Sequence, residues 1–202
     1  MPAILQFEFM VRALAGGAIV GALGPILGMF LVLRRFSLIA DTLSHVALMG
    51  VAIGLATGLY PSFVALGAAS AGAITVEWLS SRQRLPGAVA LAVVLYTSLA
   101  VAVVVISGTG GFSVDLFAFL FGSILSVSEF DLWLLAGLAA VVFAYVTVFF
   151  SELSQSSFDP QLARVTGVRV GLVNLGLAVL TGATITLSMR IVGVLLVGAL
   201  LV

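Results

Sequence analysis

The chain has 202 residues, 62% hydrophobic and only 8% charged, with a net charge of zero and a mean hydropathy of +1.34. A soluble domain carries roughly a quarter charged residues, so a soluble enzyme, a nucleic-acid binder and a disordered chain are excluded, leaving an integral membrane protein. With no cysteine in the chain, disulfides, thiolate metal sites and cysteine nucleophiles are excluded as well.

Residues 1–8 lack the basic stretch and small-residue cleavage site of a signal peptide, so the first apolar run reads as a retained span. Runs near the ~20 residues needed to cross a bilayer lie at 10–33, 36–59, 62–79, 87–107, 132–150 and 171–189. A shorter apolar stretch at 115–127, beside Gly108, Gly110 and Gly111, is too short to cross and reads as a re-entrant or interfacial helix. The longest polar segment is the loop 151–169. The last run, 191–202, stops in mid-pattern after Arg190; it is expected to be a half-helix or, preferably, the start of a span in a longer protein. None of the runs alternates as a membrane barrel would. The expected fold is an all-α, polytopic transmembrane helix bundle forming a single transmembrane domain, with about six full spans, a re-entrant short helix and an incomplete seventh span.

The arginines orient the bundle. Arg34, Arg35, Arg82, Arg84, Arg164 and Arg169, six of the eight, follow spans one, three and five, so those loops are expected on the cytoplasmic side and the N-terminus outside. Arg12, Arg190, Glu8, Asp115, Glu129 and Asp131 fall on the outer side, where Asp115, Glu129 and Asp131 cluster and read as solvated or as attracting cations before entry. Glu77, one turn from the cytoplasmic end of span three, is expected to snorkel or to pair with Arg82.

An ionisable side chain inside a span is a functional candidate by default. Asp41 and His45, the latter being the only histidine, are four residues apart and share a helix face. Counted from Phe36 at ~1.5 Å per residue, His45 sits about 13 Å into the bilayer. Carboxylate plus imidazole is half a site for a borderline divalent cation; the alternative is polar glue between helices. In the polar loop, Asp159 is a good N-cap, Pro160 a favoured first helical residue and Gly167 a stop, which predicts a short capped helix outside the membrane. It is a handle for a cytoplasmic partner or merely a loop closure. No nucleotide-binding loop, serine elbow or zinc-protease helix is present.

These segments resemble the zinc/manganese-type permeases of ABC transporters. Arg34-Arg35 followed by Asp41-Thr42-Leu43-Ser44-His45 is similar to the family's span-two motif, and the stretches 116–126, 158–168 and 191–197 agree in order. The resemblance implies a non-enzymatic transport subunit of an ATP-driven importer of Zn, Mn or Fe ions, in a bacterial plasma membrane and without a resident cofactor. It implies a homodimer of permeases surrounded by lipid, a cytoplasmic ATPase partner and an extracellular or periplasmic metal-binding protein. Asp41 and His45 would contact the metal, and the loop around Glu152, Phe158, Asp159, Pro160, Ala163 and Gly167 would dock the ATPase. A permease for a metal chelate such as a siderophore or cobalamin, a non-transporting scaffold and an inactive fragment are the alternatives.

Overall fold

The computed structural model of the chain describes residues 8–34, 36, 38–81, 86–110, 114–123, 128–194, 196 and 197. Arg35, Arg82, Arg84 and the ends of two apolar runs, 124–127 and 198–202, lie outside the described residues. Among the described residues there are nine helices and no strands: α1 (Glu8–Leu33), α2 (Ile39–Thr57), α3 (Pro61–Ser81), α4 (Gly87–Gly108), α5 (Val114–Phe121), α6 (Glu129–Val148), α7 (Phe150–Phe158), α8 (Pro160–Val165) and α9 (Val170–Val192). Six of them, α1, α2, α3, α4, α6 and α9, are long and apolar enough to cross a membrane.

The spans form two groups joined by one helix. Helix α2 packs against α3 and α4, while α1 packs against α6, and α9 touches α1, α2, α3 and α6. Burial follows this order: 67% of the α2 span is buried against only 11% of α6, so α2 is the central helix and α6 a peripheral one. Small residues permit the tightest packing. A Cβ on Gly50 would lie 2.6 Å from the Ala65 Cα, so the α2 and α3 backbones are in direct contact there. The turn between them is closed by Gly58, in a left-handed conformation (φ 72°), and reopened by Pro61 at the first position of α3. Near that end Tyr60, Phe130 and Trp133 are exposed, and Trp78 is exposed near the other, as expected of rings at the two membrane–water interfaces.

The short apolar stretch forms α5, eight residues or about 12 Å, which packs on α9 and α2 without crossing. The sixth and seventh runs divide differently from the sequence pattern. Arg190 does not separate them; α9 continues through it to Val192 and breaks at Gly193 (φ 86°), beyond which Leu196 and Val197 return hydrogen bonds to the Gly193 carbonyl. The break coincides with a backbone crossing. A Cβ on Gly193 would lie 2.5 Å from the Phe121 carbonyl carbon, and one on Gly122 (φ 75°) would lie 2.8 Å from the Gly193 nitrogen. The Ser123 N–H donates to the Arg190 carbonyl across the same junction at 3.2 Å.

Gly193→Ala combines left-handed strain, about 1–3 kcal/mol, with a backbone clash, whereas Gly58→Ala (φ 72°) enters open space. The thermal midpoint read from Trp78 and Trp133 fluorescence is expected to fall further for Gly193→Ala than for Gly58→Ala. Equal shifts would mean that the crossing imposes no constraint.

Candidate functional site

Asp41 and His45 lie in the first two turns of α2. Their depth differs from the count along the sequence, because Phe36 does not start the helix: its N–H turns back to the Leu31 carbonyl, and α2 begins only at Ile39. His45 is therefore about 9 Å along α2, counted at ~1.5 Å per residue. The two side chains share a face, with His45 Nε2 3.7 Å from Asp41 Oδ1. That separation is too long for a hydrogen bond. The second imidazole nitrogen, Nδ1, is buried and has no hydrogen-bond partner among the described residues.

The surrounding face explains why these groups are unsatisfied. Thr42, Leu43, Ser44, Val46 and Ala47 are buried, whereas the Asp41 side chain is 55% exposed and His45 26%. Leu38, exposed, precedes them on that face and Met49, half-buried, follows. Helix α2 is thus covered everywhere except along a stripe that carries a carboxylate and an imidazole. Among the described residues, no third histidine or carboxylate joins them. Two donors are half of a tetrahedral site, so a bound cation would need donors from water or another chain.

The polar loop is two helices, α7 and α8, meeting at Asp159. The Asp159 carboxylate accepts from the N–H groups of Gln161 (2.9 Å) and Leu162 (3.0 Å), and Pro160 takes the first helical position. The segment ends at Gly167 (φ 89°). Ala163 is buried against the bundle, Glu152 is half-buried, and Phe158 is 76% exposed. The sequence reading missed Leu162 and Val165, which extend the exposed apolar surface of α8 beside Phe158. Exposed apolar side chains on a short capped helix that is not among the six candidate spans mark a contact surface.

Four ion pairs were also not assigned from the sequence. Glu77 pairs with Arg34, Nη2 to Oε2 at 3.1 Å, both side chains nearly buried, while Arg82 lies outside the described residues. At the other end Arg190 Nη1 meets Asp131 Oδ1 at 2.5 Å, and Arg12 bridges Glu8 (3.1 Å) and Glu129 (2.7 Å). Glu129 and Asp131 are therefore paired rather than simply solvated, and Asp131 also closes a capping box with Ser128 at the start of α6. Alternation of spans puts Arg34 and Glu77 at one end, a signal that would have matched them. Nothing local announces the pairing of Arg190 with Asp131.

The two ends hold separate cavities. One, of about 720 Å³, is lined by Arg34, Phe36, Glu77, Ser157, Arg164 and Asn174, which places the ends of α1 and α3 beside the segment that follows α6. The other, of about 370 Å³, is lined by Leu55, Tyr60, Pro61, Phe119 and Arg190.

The model of the ABC 3 transport family matches residues 6–202. The chain is 32% identical to the manganese transport system membrane protein MntC of Halalkalibacterium halodurans, covering 98% of this chain and 68% of that protein. It is 31% identical to the high-affinity zinc uptake system membrane protein ZnuB of Haemophilus influenzae, covering 98% and 76%. Among solved structures, PsaBC from Streptococcus pneumoniae in complex with Fab aligns with a TM-score of 0.82 at 31% identity, covering 98% of this chain and 72% of that one. An inward-facing metal-chelate type ABC transporter aligns at 0.65 with 14% identity, covering 91% and 63%, and shares the fold alone.

Asp159→Ala removes the α8 cap, a loss of about 1 kcal/mol. Hydrogen exchange at the Gln161 and Leu162 amides should accelerate about fivefold, with the α9 amides unchanged. Unchanged exchange at those two amides would show that tertiary packing, not the cap, holds the segment.

Proposed function

The chain belongs to the ABC 3 transport family, a permease subunit of an ABC importer for manganese or zinc ions, and on that premise we propose that Asp41 and His45 contact the ion in transit. The observation that carries the site is the α2 stripe: a carboxylate and an imidazole on one face, not bonded to each other, on the only uncovered side of the central helix. Were the pair polar glue, each group would hold a partner inside the bundle. Carboxylate oxygen suits Mn and imidazole suits Zn, and any such site favours Zn over Mn by intrinsic affinity. The names of the relatives point to these two ions and not to iron.

The rest of the transporter follows from the surfaces. A second copy of the permease covers the α2 stripe and brings its own Asp41 and His45 to the ion. The exposed apolar side chains of Phe158, Leu162 and Val165 dock the cytoplasmic ATPase, with Asp159, Pro160, Ala163 and Gly167 fixing the shape of the docking segment and Glu152 on its approach. The end that holds Arg190 and Asp131 faces outward and receives the ion from an external metal-binding protein. This orientation keeps Arg34, Arg164 and Arg169 on the cytoplasmic side of a bacterial plasma membrane. Alternating access requires that nucleotide and metal each bind one arrangement of the spans better than the other.

In the assembled transporter reconstituted in vesicles, Asp41→Asn and His45→Gln are each expected to lower uptake of radioactive Mn²⁺ or Zn²⁺ at least about tenfold, the scale of losing support at a metal site. Normal uptake by the double variant would sink the site assignment.

A further inference from the structure

We propose that Arg34 and Glu77 form the positioning pair through which movement of the α7–α8 segment reaches the helix carrying Asp41 and His45; this rests on the reading of that segment as the ATPase dock. Arg34 caps the end of α1, its N–H bonded to the Phe30 carbonyl at 3.2 Å. The chain then folds back so tightly that α2 begins five residues later: Phe36 N–H to Leu31 at 3.0 Å, Ile39 N–H to Phe36 at 2.9 Å. The Arg34 guanidinium reaches Glu77 of α3 at 3.1 Å and lies 4.9 Å from the centre of the Phe36 ring. Phe36 in turn fills the place of a side chain at Gly87, where a Cβ would lie 3.0 Å from the ring. One arginine thus ties the α1 end, the approach to α2 and the α3 end together, with Phe36 carrying the contact on to the start of α4.

The same knot meets the α7–α8 segment. Phe150, the first residue of α7, packs edge-on against Phe30 of α1, ring centres 6.1 Å apart, one turn before Arg34. Between the ion pair and the rest of the segment lies the cavity of about 720 Å³, with Ser156, Ser157, Phe158, Pro160 and Arg164 on its far wall. The Ser157 hydroxyl is buried there and has no hydrogen-bond partner among the described residues. The segment meets the knot at that ring contact and faces it across open space elsewhere, while buried Leu153, Ser156 and Ala163 seat it on the rest of the bundle. The ion pair itself is nearly buried, 7% and 11% exposed, so it is weakly screened. Its directional geometry favours discrete arrangements over continuous sliding, which is what a coupling element needs. Asp41 lies seven residues beyond Arg34, in the first turn of α2.

The native chain has no cysteine, so spin labels can be placed at will. In the assembled transporter without metal, one label pair joins exposed Gln161 of α8 to exposed Ile74 of α3, and a second joins Leu38, just before α2, to Ile74, with unchanged uptake by each labelled protein established first. Trapping nucleotide on the ATPase should shift both distances in the protein with Arg34 and Glu77 intact. In Arg34→Gln or Glu77→Gln the Gln161 shift should persist and the Leu38 shift should vanish; Arg34→Lys and the exchange Arg34→Glu with Glu77→Arg should restore it in part. Uptake should follow the Leu38 shift, falling at least tenfold in the Gln variants. A Leu38 shift that survives in both Gln variants overturns the proposal alone. Loss of both shifts in the Gln variants, with no rescue by lysine or by the exchange, shows a purely structural role and overturns it too. A complex with Arg34 and Glu77 intact in which the Gln161 distance does not respond to nucleotide overturns the docking reading and this proposal with it.

Discussion

The bilayer interior offers no water, so every charge and every backbone polar group that enters it must find its partner inside the protein. That constraint shapes this chain more than any single apolar contact. Apolar side chains are interchangeable with lipid tails and do little to say which helix lies beside which. Charges are not. Breaking one partner from a buried ion pair costs about 3–5 kcal/mol, so Arg34 on Glu77 fixes α1 and the approach to α2 against α3, and Arg190 on Asp131 fixes α9 against α6. Each end of the bundle is held by a pair whose members come from helices distant in sequence.

Between these ends, helix α9 does the joining. It is the element in contact with both helix groups, and it carries buried Asn174, Thr181, Thr184, Thr186 and Ser188 through the middle of an apolar bundle. The three threonines return their hydroxyls to carbonyls four residues back at 2.8 Å, so they satisfy themselves without choosing a neighbour. Asn174 instead accepts from Ser156 of α7, and Tyr145 of α6 donates to the Val173 carbonyl at 2.7 Å. Specific polar contacts therefore concentrate where α9 leaves the α7–α8 segment, and self-satisfied ones where it passes α2 and α3. At its far end the helix breaks at Gly193, at the point where α5 presses its backbone against it.

What was legible in the sequence follows from the range of the forces involved. Spans are encoded by apolar length, a one-dimensional property, so six runs and six helices agree in number. The cap at Asp159, the proline after it and the stop at Gly167 act within one helical turn and were equally plain. The start of α2 was not, because Phe36 looks like any apolar helical residue while its backbone turns back to Leu31. The boundary between the last two runs is open in the sequence, where only Arg190 interrupts the apolar pattern; its partner Asp131 on another helix lets α9 carry the charge through to Val192. Glu77 is buried against Arg34, 43 residues away along the chain, a pairing that only the tertiary fold brings about. Asp41 and His45 were legible as a pair on one face, yet the face itself could be known as uncovered only once the neighbours of α2 were placed.

An uncovered half-site is also what transport asks of the chemistry. A closed set of four protein ligands holds a divalent ion as a structural metal, and an importer that bound its cargo so would not release it. In the proposed site each chain brings one carboxylate and one imidazole, and among the described residues no further histidine or carboxylate completes them. In the proposed dimer the two half-sites face each other, so the number of protein donors that reach one ion depends on how the two α2 helices stand apart. Small displacements at the start of α2 then change affinity steeply, since losing half the ligands weakens a site far more than distorting all of them. On the proposed reading, the residues that fix that start, Arg34 and Phe36 among them, control transport although they touch no metal. Cargo contact and cargo control would then be adjacent along the chain, and the α1–α2 connection would be where packing and function meet.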